Sequence, residues 1–224
     1  MHAVELRNVS RTYRGNGGAI AALNQVSLAA APGTITALVG RSGCGKTTLL
    51  NLAGAMDFPD EGEVLINGQV TSGMDDRELT RLRRTEVGFV FQSFQLLPTL
   101  TVLENVELPL LLAGARETRR PAMERLAWVG LDARASALPY QLSGGQMQRV
   151  AMARAIVHSP KVLIADEPTG NLDSTSGDQI LELLAKAARE LRATVLMATH
   201  SAEAAAIADV RVRMRDGQIS AVES

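Results

Sequence analysis

The segment with the clearest chemical potential spans residues 40–47 and reads GRSGCGKT, which matches the pattern G-x-x-x-x-G-K-[ST]. Its glycines allow successive backbone N–H groups to turn inward around phosphate oxygens. Lys46 supplies a positive charge for the β- and γ-phosphates, and Thr47 offers a hydroxyl to Mg²⁺. An apolar run at residues 35–39 precedes the segment and a helical pattern follows it. The pattern therefore predicts a nucleoside triphosphate site.

Kinases, GTPases and motor ATPases all bind triphosphates, so a second group of residues must separate them. An apolar run at residues 162–165 ends in Asp166 and Glu167. This pattern predicts a buried strand that delivers both acids at its carboxyl end, where ligands of open α/β sheets bind. Asp166 is then placed to hold Mg²⁺ and Glu167 to polarise a water. The pair of acids suits hydrolysis, which disfavours a phosphoryl-transferring kinase.

A second helix start able to bind an anion follows Leu142. Ser143 and two glycines precede the helical pattern of residues 146–158. Serine is a good N-cap, and the first N–H groups of a helix carry partial positive charge. One chain therefore carries two predicted anion-binding helix starts.

Residues 142–146 read LSGGQ, and the sequence resembles the ATP-binding subunits of ABC transporters over nearly its whole length. The resemblance includes Gln92 after a predicted strand, Asn171-Leu172-Asp173 after the two acids, and His200 after the strand at residues 194–198. It implies an α/β P-loop NTPase fold of the ABC type. That fold has a parallel-sheet core, a small antiparallel β subdomain and an inserted helical subdomain.

The resemblance also implies roles for these residues. The cofactors would be ATP and Mg²⁺, with Thr47, Gln92 and Asp166 ordering the metal directly or through water. Glu167 would be the general base, and His200 would contact the γ-phosphate and orient the attacking water. In a homodimer, the LSGGQ segment of one subunit, residues 142–146, here called the signature, would close over the ATP of the other. Asp173 would link the two sites. The predicted nucleotide contacts are Tyr13, stacking on adenine, with Gly40, Arg41, Ser42, Gly43, Cys44, Gly45, Lys46, Thr47, Thr48, Ser143, Gly144, Gly145, Gln146 and Asp173.

The sequence pattern predicts a single ABC ATPase domain over residues 1–224. Residues 1–91 and 159–224 would form the catalytic core with the antiparallel β subdomain, and residues 92–158 the helical subdomain with the signature. Predicted antiparallel strands cover residues 4–9, 26–30 and 63–66, and predicted parallel strands cover 35–39, 87–90, 162–165 and 195–198. The predicted helices include 101–112, 117–129 and 174–191.

The helical subdomain is where we expect a membrane partner to bind. An apolar loop at residues 93–100 continues into a helical stripe of Leu103, Val106, Leu110 and Leu111, and part of it would form a groove for a short helix of the membrane subunit. Three local segments, at residues 91–94, 103–109 and 170–173, resemble the macrolide- and lipoprotein-export branch, of the MacB and LolD type. The resemblance implies a permease with four helices and a periplasmic domain, and a peripheral location on the cytoplasmic face of a bacterial inner membrane.

Within that branch, ATP hydrolysis would drive export or mechanotransmission of a lipoprotein, peptide or drug-like substrate. A transmembrane signalling complex of the cell-division type is an alternative, because the sequence separates the two poorly. A soluble ATPase of the superfamily is the third possibility. Relatives that act in DNA repair carry a long coiled coil, for which these 224 residues leave no space.

Composition sets further limits. A formal charge of −1 gives no sign of the basic surface that binds nucleic acid. A content of 46% hydrophobic residues suffices for a packed interior. The single cysteine, Cys44, excludes an internal disulfide and fits a reducing compartment. Trp128 is expected in the core, and His158 is expected to interact with the carboxyl end of the signature helix. No apolar run approaches the roughly 20 residues of a membrane span, so we expect any pore to lie on another chain.

Overall fold

The computed structural model describes residues 2–15 and 18–223. Within these ranges the chain forms two β-sheets and seven α-helices. Two short 3₁₀ turns, at Asp132–Arg134 and Pro139–Gln141, also occur. Asn16 and Gly17, at the centre of a turn predicted between the first two strands, lie outside the described residues.

The smaller sheet is antiparallel, as predicted, and its strands lie in the order β2-β1-β4-β5. Strands β1 and β2 are longer than predicted because they continue to pair along the outer half of their hairpin, which is largely exposed and lacks a buried apolar pattern. Asn8 and Gln25 adopt left-handed φ values of 48° near shifts in the strand register. The strands are β1 Val4–Gly15, β2 Gly18–Ala30, β4 Glu61–Ile66 and β5 Gln69–Val70.

The larger sheet has six strands in the order β10-β9-β3-β8-β7-β6. All neighbouring pairs are parallel except the β9–β10 hairpin. Strands β3, β7 and β8 are buried almost throughout, which explains their continuous apolar sequences. Strands β9 and β10 were not predicted. The bounds are β3 Ile35–Val39, β6 Val87–Phe91, β7 Val162–Asp166, β8 Thr194–Thr199, β9 Val210–Arg215 and β10 Gln218–Glu223.

Strand register brings four carboxyl ends to one edge of this sheet. Val39 pairs with Thr199, Asp166 pairs with Ala198, and Phe91 pairs with Asp166. The loops that follow these strands therefore lie side by side.

The α-helices begin where side-chain caps satisfy their first N–H groups. Helix α2 begins after Asp75, which forms a capping box with Glu78, and α3 begins after Thr101, which pairs likewise with Glu104. Helix α2 and the short α7 were not predicted. The helices are α1 Lys46–Ala53, α2 Asp76–Glu86, α3 Val102–Leu112, α4 Arg119–Trp128, α5 Gly144–Ile156, α6 Ser174–Leu191 and α7 Ala202–Ala206.

Two clusters of buried side chains cover the two faces of the six-stranded sheet. One joins α3, α4, α5 and α6 to this sheet, and the other joins the antiparallel sheet, α1 and α2 to it. Because α3–α5 share a core with the sheet, packing positions the signature helix relative to the strand ends. The boundary of a helical subdomain at residues 92–158 stays a prediction.

Two side-chain environments differ from the expectations. Helix α5 ends at Ile156, and His158 lies beyond it, partly buried, with Nε2 3.1 Å from the Val87 carbonyl oxygen. Trp128 is only partly buried, because its indole N–H donates to Glu190 and Lys186 lies 4.3 Å above its ring. In the described part of the chain, no helix combines the length and apolarity that crossing a membrane requires.

Candidate active site

The phosphate-loop segment connects the end of β3 to the start of α1. Gly43 and Gly45 adopt φ values of 79° and 102°, which glycine tolerates without steric cost. A side chain at position 45 would also collide with the Ala22 carbonyl oxygen. Gly45 is the N-cap of α1, and no side chain of residues 2–15 and 18–223 caps this helix. The first N–H groups of α1 are therefore available to an anion.

Lys46 and Thr47 begin α1, and their side chains contact different groups of the site. The Lys46 ammonium donates to the Gly40 carbonyl at 2.8 Å and to the Arg41 carbonyl at 3.2 Å. The Thr47 hydroxyl donates to Asp166 Oδ2 at 2.9 Å. Two backbone carbonyls of the loop therefore hold the Lys46 ammonium, and the Thr47 hydroxyl contacts Asp166, the first of the two acids.

The two acids occupy different backbone environments. Asp166 is the last residue of β7, and burial raises the pKa of its carboxyl, with the neighbouring charge of Glu167 acting in the same direction. The Thr47 hydrogen bond and the charge of Lys46 lower that pKa. Glu167 adopts a left-handed φ of 46°, and its N–H donates to the Ala198 carbonyl at 3.0 Å. Two adjacent carboxylates at a partly buried strand end favour a bound cation.

His200 lies directly against the second acid. Its Nδ1 is 2.9 Å from Glu167 Oε2, with side-chain exposures of 70% for His200 and 19% for Glu167. The histidine therefore covers the carboxylate and presents its own ring to the solvent side of the site.

Gln92 follows β6 and is joined to Asn171 by two amide hydrogen bonds. Its Nε2 donates to Asn171 Oδ1, and Asn171 Nδ2 donates to the Gln92 carbonyl, both at 3.1 Å. A Cβ at position 170 would lie 2.8 Å from Gln92 Nε2, so Gly170 makes room for the amide.

These elements enclose a cavity of about 720 Å³ above the strand ends. It combines the phosphate loop, both acids, Gln92 and His200, as the sequence predicted. It also includes Ile20, Ala21 and Ala22 of β2, which sequence reasoning missed because that half of the hairpin lacks a clear apolar alternation. The predicted residues that line it are Ser42, Gly43, Gly45, Lys46, Thr47, Thr48, Gln92, Asp166, Glu167 and His200.

Tyr13 lies outside this set of lining residues. Its hydroxyl donates to Asp57 Oδ2 at 2.8 Å, and the Arg11 guanidinium lies 4.9 Å from its ring centre. Tyr13 pairs with Ile20 across the hairpin, so its strand position borders the cavity. Stacking of Tyr13 on adenine stays a prediction.

Three other residues of the loop face away from the cavity. Gly40, Arg41 and Cys44 line a separate depression of about 620 Å³ behind the loop. Cys44 is buried, and a Cβ at Gly40 would lie 2.6 Å from its sulfur. The Cys44 side chain therefore packs beneath the loop.

The signature segment forms a capped helix start of its own. Ser143 Oγ accepts from the Gln146 N–H at 3.3 Å, and Gln146 Oε1 accepts from the Ser143 N–H at 2.9 Å. A Cβ at Gly145 would lie 2.5 Å from Ser176 Oγ, whereas one at Gly144 would approach nothing closer than 3.7 Å. The signature helix therefore packs tightly against the first turn of α6.

Asp173 is the N-cap of α6. Its Oδ1 accepts from the Ser176 N–H at 3.0 Å, and this backbone hydrogen bond lowers the pKa of Asp173. Among the described residues of one chain, neither Asp173 nor the segment 143–146 lines the phosphate cavity.

The side-chain oxygens at the strand ends suit Mg²⁺ bound together with substrate phosphates. They do not suit a metal whose ligands all come from protein. No group of three or more His, Cys, Asp or Glu side chains suited to a metal occurs in residues 2–15 and 18–223. Mg²⁺ is commonly held by one or two protein oxygens with substrate phosphates and water. The hydroxyl of Thr47, facing Asp166 beside the phosphate loop, supplies that kind of set.

Comparison with known proteins decides the family. The family model described as ABC transporter matches residues 23–170. The chain belongs to the ABC transporter family. This cassette is the ATP-hydrolysing subunit of a transporter, with ATP as its nucleotide.

Individual relatives cover nearly the whole cassette. The lipoprotein-releasing system ATP-binding protein LolD of Nitrobacter hamburgensis is 45% identical over 218 residues, which are 96% of this chain and 94% of that protein. The uncharacterized ABC transporter ATP-binding protein MJ0796 of Methanocaldococcus jannaschii is 44% identical over 226 residues, covering 98% and 96%. A dimeric post-hydrolysis structure of MJ0796 bound to ADP and Pi matches with a TM-score of 0.91 and 42% identity, covering 99% of this chain and 98% of that one.

Proposed function

We propose that two copies of this cassette close head to tail around two ATP molecules and drive a separate membrane permease. The observation that carries the proposal is the separation of two helix starts. The N-terminus of α1 faces the cavity, whereas the start of α5 at Ser143 does not line it within the described residues of one chain. The dimeric MJ0796 structures support a second copy as the source of the missing signature.

In this proposal the phosphate loop binds and orients ATP. The N–H groups of α1 and the Lys46 ammonium contact the phosphates, and Ser143 of the second copy approaches the γ-phosphate. Thr47, Asp166 and Gln92 would hold Mg²⁺, which would offset charge on the phosphate oxygens.

Glu167 carries the proton transfer of hydrolysis. The water oxygen attacks the γ-phosphorus, the bond to the β–γ bridging oxygen breaks, and the water proton passes to Glu167. His200, at 2.9 Å from Glu167, orients the attacking water and holds the carboxylate in place. Asp173 would connect the two sites through the first turn of α6.

The permease would bind in an apolar groove of about 360 Å³ on the helical side of the cassette. Leu103 and Val106 of the expected stripe are buried in the core. The groove instead presents Leu108, Pro109 and Leu112 of α3. Its lining also includes Met56, Arg83, Arg84, Val87, Gly88, Phe89, Phe91, Gln95, Arg154, Ala155 and His158.

We assign this groove to a short amphipathic helix of the membrane subunit. Its floor is apolar, and the exposed Arg84 at its rim matches an acidic side chain on such a helix. The similarity to LolD supports a permease of the export branch, with four helices and a periplasmic domain, in a bacterial inner membrane. The transported or mechanically released substrate would then be a lipoprotein, a peptide or a drug-like molecule.

Two variants test dimerisation. Glu167→Gln should bind ATP and accumulate as a dimer on size exclusion, because the base is lost while the charge contacts remain. Ser143→Arg in the same background should bind ATP and remain monomeric, since the larger cation blocks closure. A double variant that still dimerises with ATP would refute the contribution of Ser143 in trans.

Affinity capture of Glu167→Gln from native membranes with ATP tests the partner. Recovery of a multi-helix membrane protein with a periplasmic domain supports the export reading, and recovery of soluble partners alone favours a soluble ATPase. Vesicles carrying the recovered complex separate transport from signalling, because only a transporter moves or releases substrate on hydrolysis.

A further inference from the structure

The loop after β6, residues 91–95, is held by side chains from two other elements. Gln148 of α5 is fully buried, and its amide donates to the carbonyls of Phe91 at 3.1 Å and of Pro168 at 2.6 Å. Asn171 donates to the carbonyl of Gln92. Arg154 of α5 completes the set, with Nη2 2.8 Å from the Phe94 carbonyl and Nη1 2.6 Å from the Gln95 carbonyl.

Arg154 binds the part of the loop whose backbone conformation is energetically least favourable. Phe94 and Gln95 are consecutive left-handed residues with φ values of 56° and 50°, and neither is glycine. Side chains other than glycine adopt this region only when their surroundings impose it. The two carbonyls of this turn are the two that the guanidinium binds, so Arg154 is in position to impose the conformation.

Its surroundings leave Arg154 few other interactions. Burial lowers the pKa of its guanidinium, and within the described residues no carboxylate offsets that effect. A guanidinium away from water needs acceptors for its N–H groups, and here those acceptors are loop carbonyls. The desolvated cation and the strained turn therefore stabilise each other.

The turn stands between two parts of the reaction machinery. Gln92 lies two residues before Phe94 and lines the phosphate cavity. The Phe94 ring lies 3.7 Å from the position of a Cβ on Gly144, at the signature. Gln95 and Arg154 also line the groove assigned to the permease helix.

We propose that Arg154 is a positioning residue for ATP hydrolysis, which sets the place of Gln92 by holding the turn at Phe94 and Gln95. It does not touch the nucleotide and acts through Gln92 alone. The inference rests on the proposed role of Gln92 at the metal and water.

The test is a double-mutant cycle on the isolated cassette. Arg154→Lys keeps the positive charge but loses the guanidinium, whose two nitrogens donate to the two loop carbonyls. We expect kcat to fall about tenfold, which corresponds to the loss of one charge-assisted hydrogen bond, and KM for ATP to stay unchanged. In a Gln92→Ala background, Arg154→Lys should lower kcat no further. Arg149→Lys is the matched control, because Arg149 lies on the same helix and donates instead to the Val129 carbonyl at 3.2 Å.

A second variant changes the turn and leaves Arg154 intact. Proline fixes φ near −65°, so Gln95→Pro excludes the left-handed conformation at an exposed position. It should lower kcat as Arg154→Lys does, and in the Gln92→Ala background it should not change kcat. Additive losses in either cycle, or a kcat for Gln95→Pro equal to that of the parent, would overturn the proposal. Full activity of Gln92→Ala by itself would instead remove the proposed role of Gln92.

Discussion

Glu167 Oε2 and His200 Nδ1 lie 2.9 Å apart, and the His200 backbone N–H donates to the same carboxylate oxygen at 3.4 Å, so the predicted base and the predicted positioning histidine form one close pair. A ring nitrogen lone pair this close to a carboxylate oxygen would be repelled, which favours the tautomer with the proton on Nδ1. The neutral ring then leaves Nε2 as an acceptor, suited to a water hydrogen. A hydrogen bond from Nε2 to a phosphate oxygen requires the doubly protonated ring.

Because the two side chains act as a pair, their substitutions should not be additive. Glu167→Gln should lower kcat by about 10²–10⁴, the range for removal of a general base, and leave ATP affinity intact. His200→Ala should lower kcat less, and in the Glu167→Gln background it should have no further effect. Single-turnover hydrolysis on the four proteins measures this. Unchanged hydrolysis by Glu167→Gln would refute its role as base.

Gly145→Ala should destabilise the cassette because its Cβ would meet Ser176 Oγ at 2.5 Å. Overpacking of this kind costs about 1–3 kcal/mol, and each kcal/mol lowers Tm by about 2–4 °C in a chain of this length. Gly144→Ala is the matched control, since its Cβ has 3.7 Å of clearance. Thermal melting without nucleotide compares them. Equal Tm values for the two variants would contradict the packing argument.

Asp166→Asn should stabilise the nucleotide-free cassette. Burial raises the pKa of Asp166, so the native chain holds this proton to a higher pH than the unfolded chain. Native stability therefore falls as pH rises from about 3.9 through the folded pKa, and the cost persists at neutral pH. Asparagine removes the charge and still accepts from Thr47.

Thermal melting at neutral pH with and without Mg-ATP tests this expectation. The variant should melt at a higher temperature than the parent without nucleotide and gain less from Mg-ATP, because one metal ligand is weakened. A variant less stable than the parent in the absence of nucleotide would show that the charge of Asp166 is favourable there.

His158→Gln should reduce the acid sensitivity of the fold. Burial lowers the pKa of His158, although its bond to the Val87 carbonyl and the charge of Glu86 favour protonation. Its Nε2 must donate to that carbonyl, which leaves a buried Nδ1 without a partner among the described residues in the neutral ring. The cationic side chains around the same groove are Arg83, Arg84 and Arg154.

A depressed folded pKa means that the unfolded chain binds the proton first as pH falls below about 6.5. The stability of the parent should therefore decrease between pH 7 and pH 5, and His158→Gln, which keeps the donor to Val87, should flatten that slope. His2→Gln is the control, because His2 is exposed. Parallel slopes for parent and His158→Gln in chemical denaturation would contradict the assignment.

The central fold was predictable where one physical pattern dominated. Strands β3, β7 and β8 are buried on both faces and have continuous apolar sequences, and the two acids at the end of β7 indicated the site. Helix α2 and strand β9 lacked such a signal. The helix is highly charged, and three arginines alternate along Val210–Arg215.

Contacts between distant residues were less accessible from the sequence. The pairing of Gln92 with Asn171 spans 79 positions, and that of Tyr13 with Asp57 spans 44. Each side chain carries polar groups that several partners could satisfy, so only the assembled strands determine which partner is near. The same reason hid Arg154, whose position within a helical pattern gives no sign of the carbonyls that it binds.

The capping of α5 explains why a serine serves the signature better than the other good N-cap residues. Ser143 Oγ uses a lone pair to accept the Gln146 N–H, and its hydroxyl proton remains available. Aspartate would cap the helix equally well but would bring a negative charge towards a phosphate, and asparagine would offer a bulkier amide. In the proposed dimer, the Ser143 hydroxyl therefore uses its lone pair for its own helix and keeps its proton for the nucleotide of the other copy.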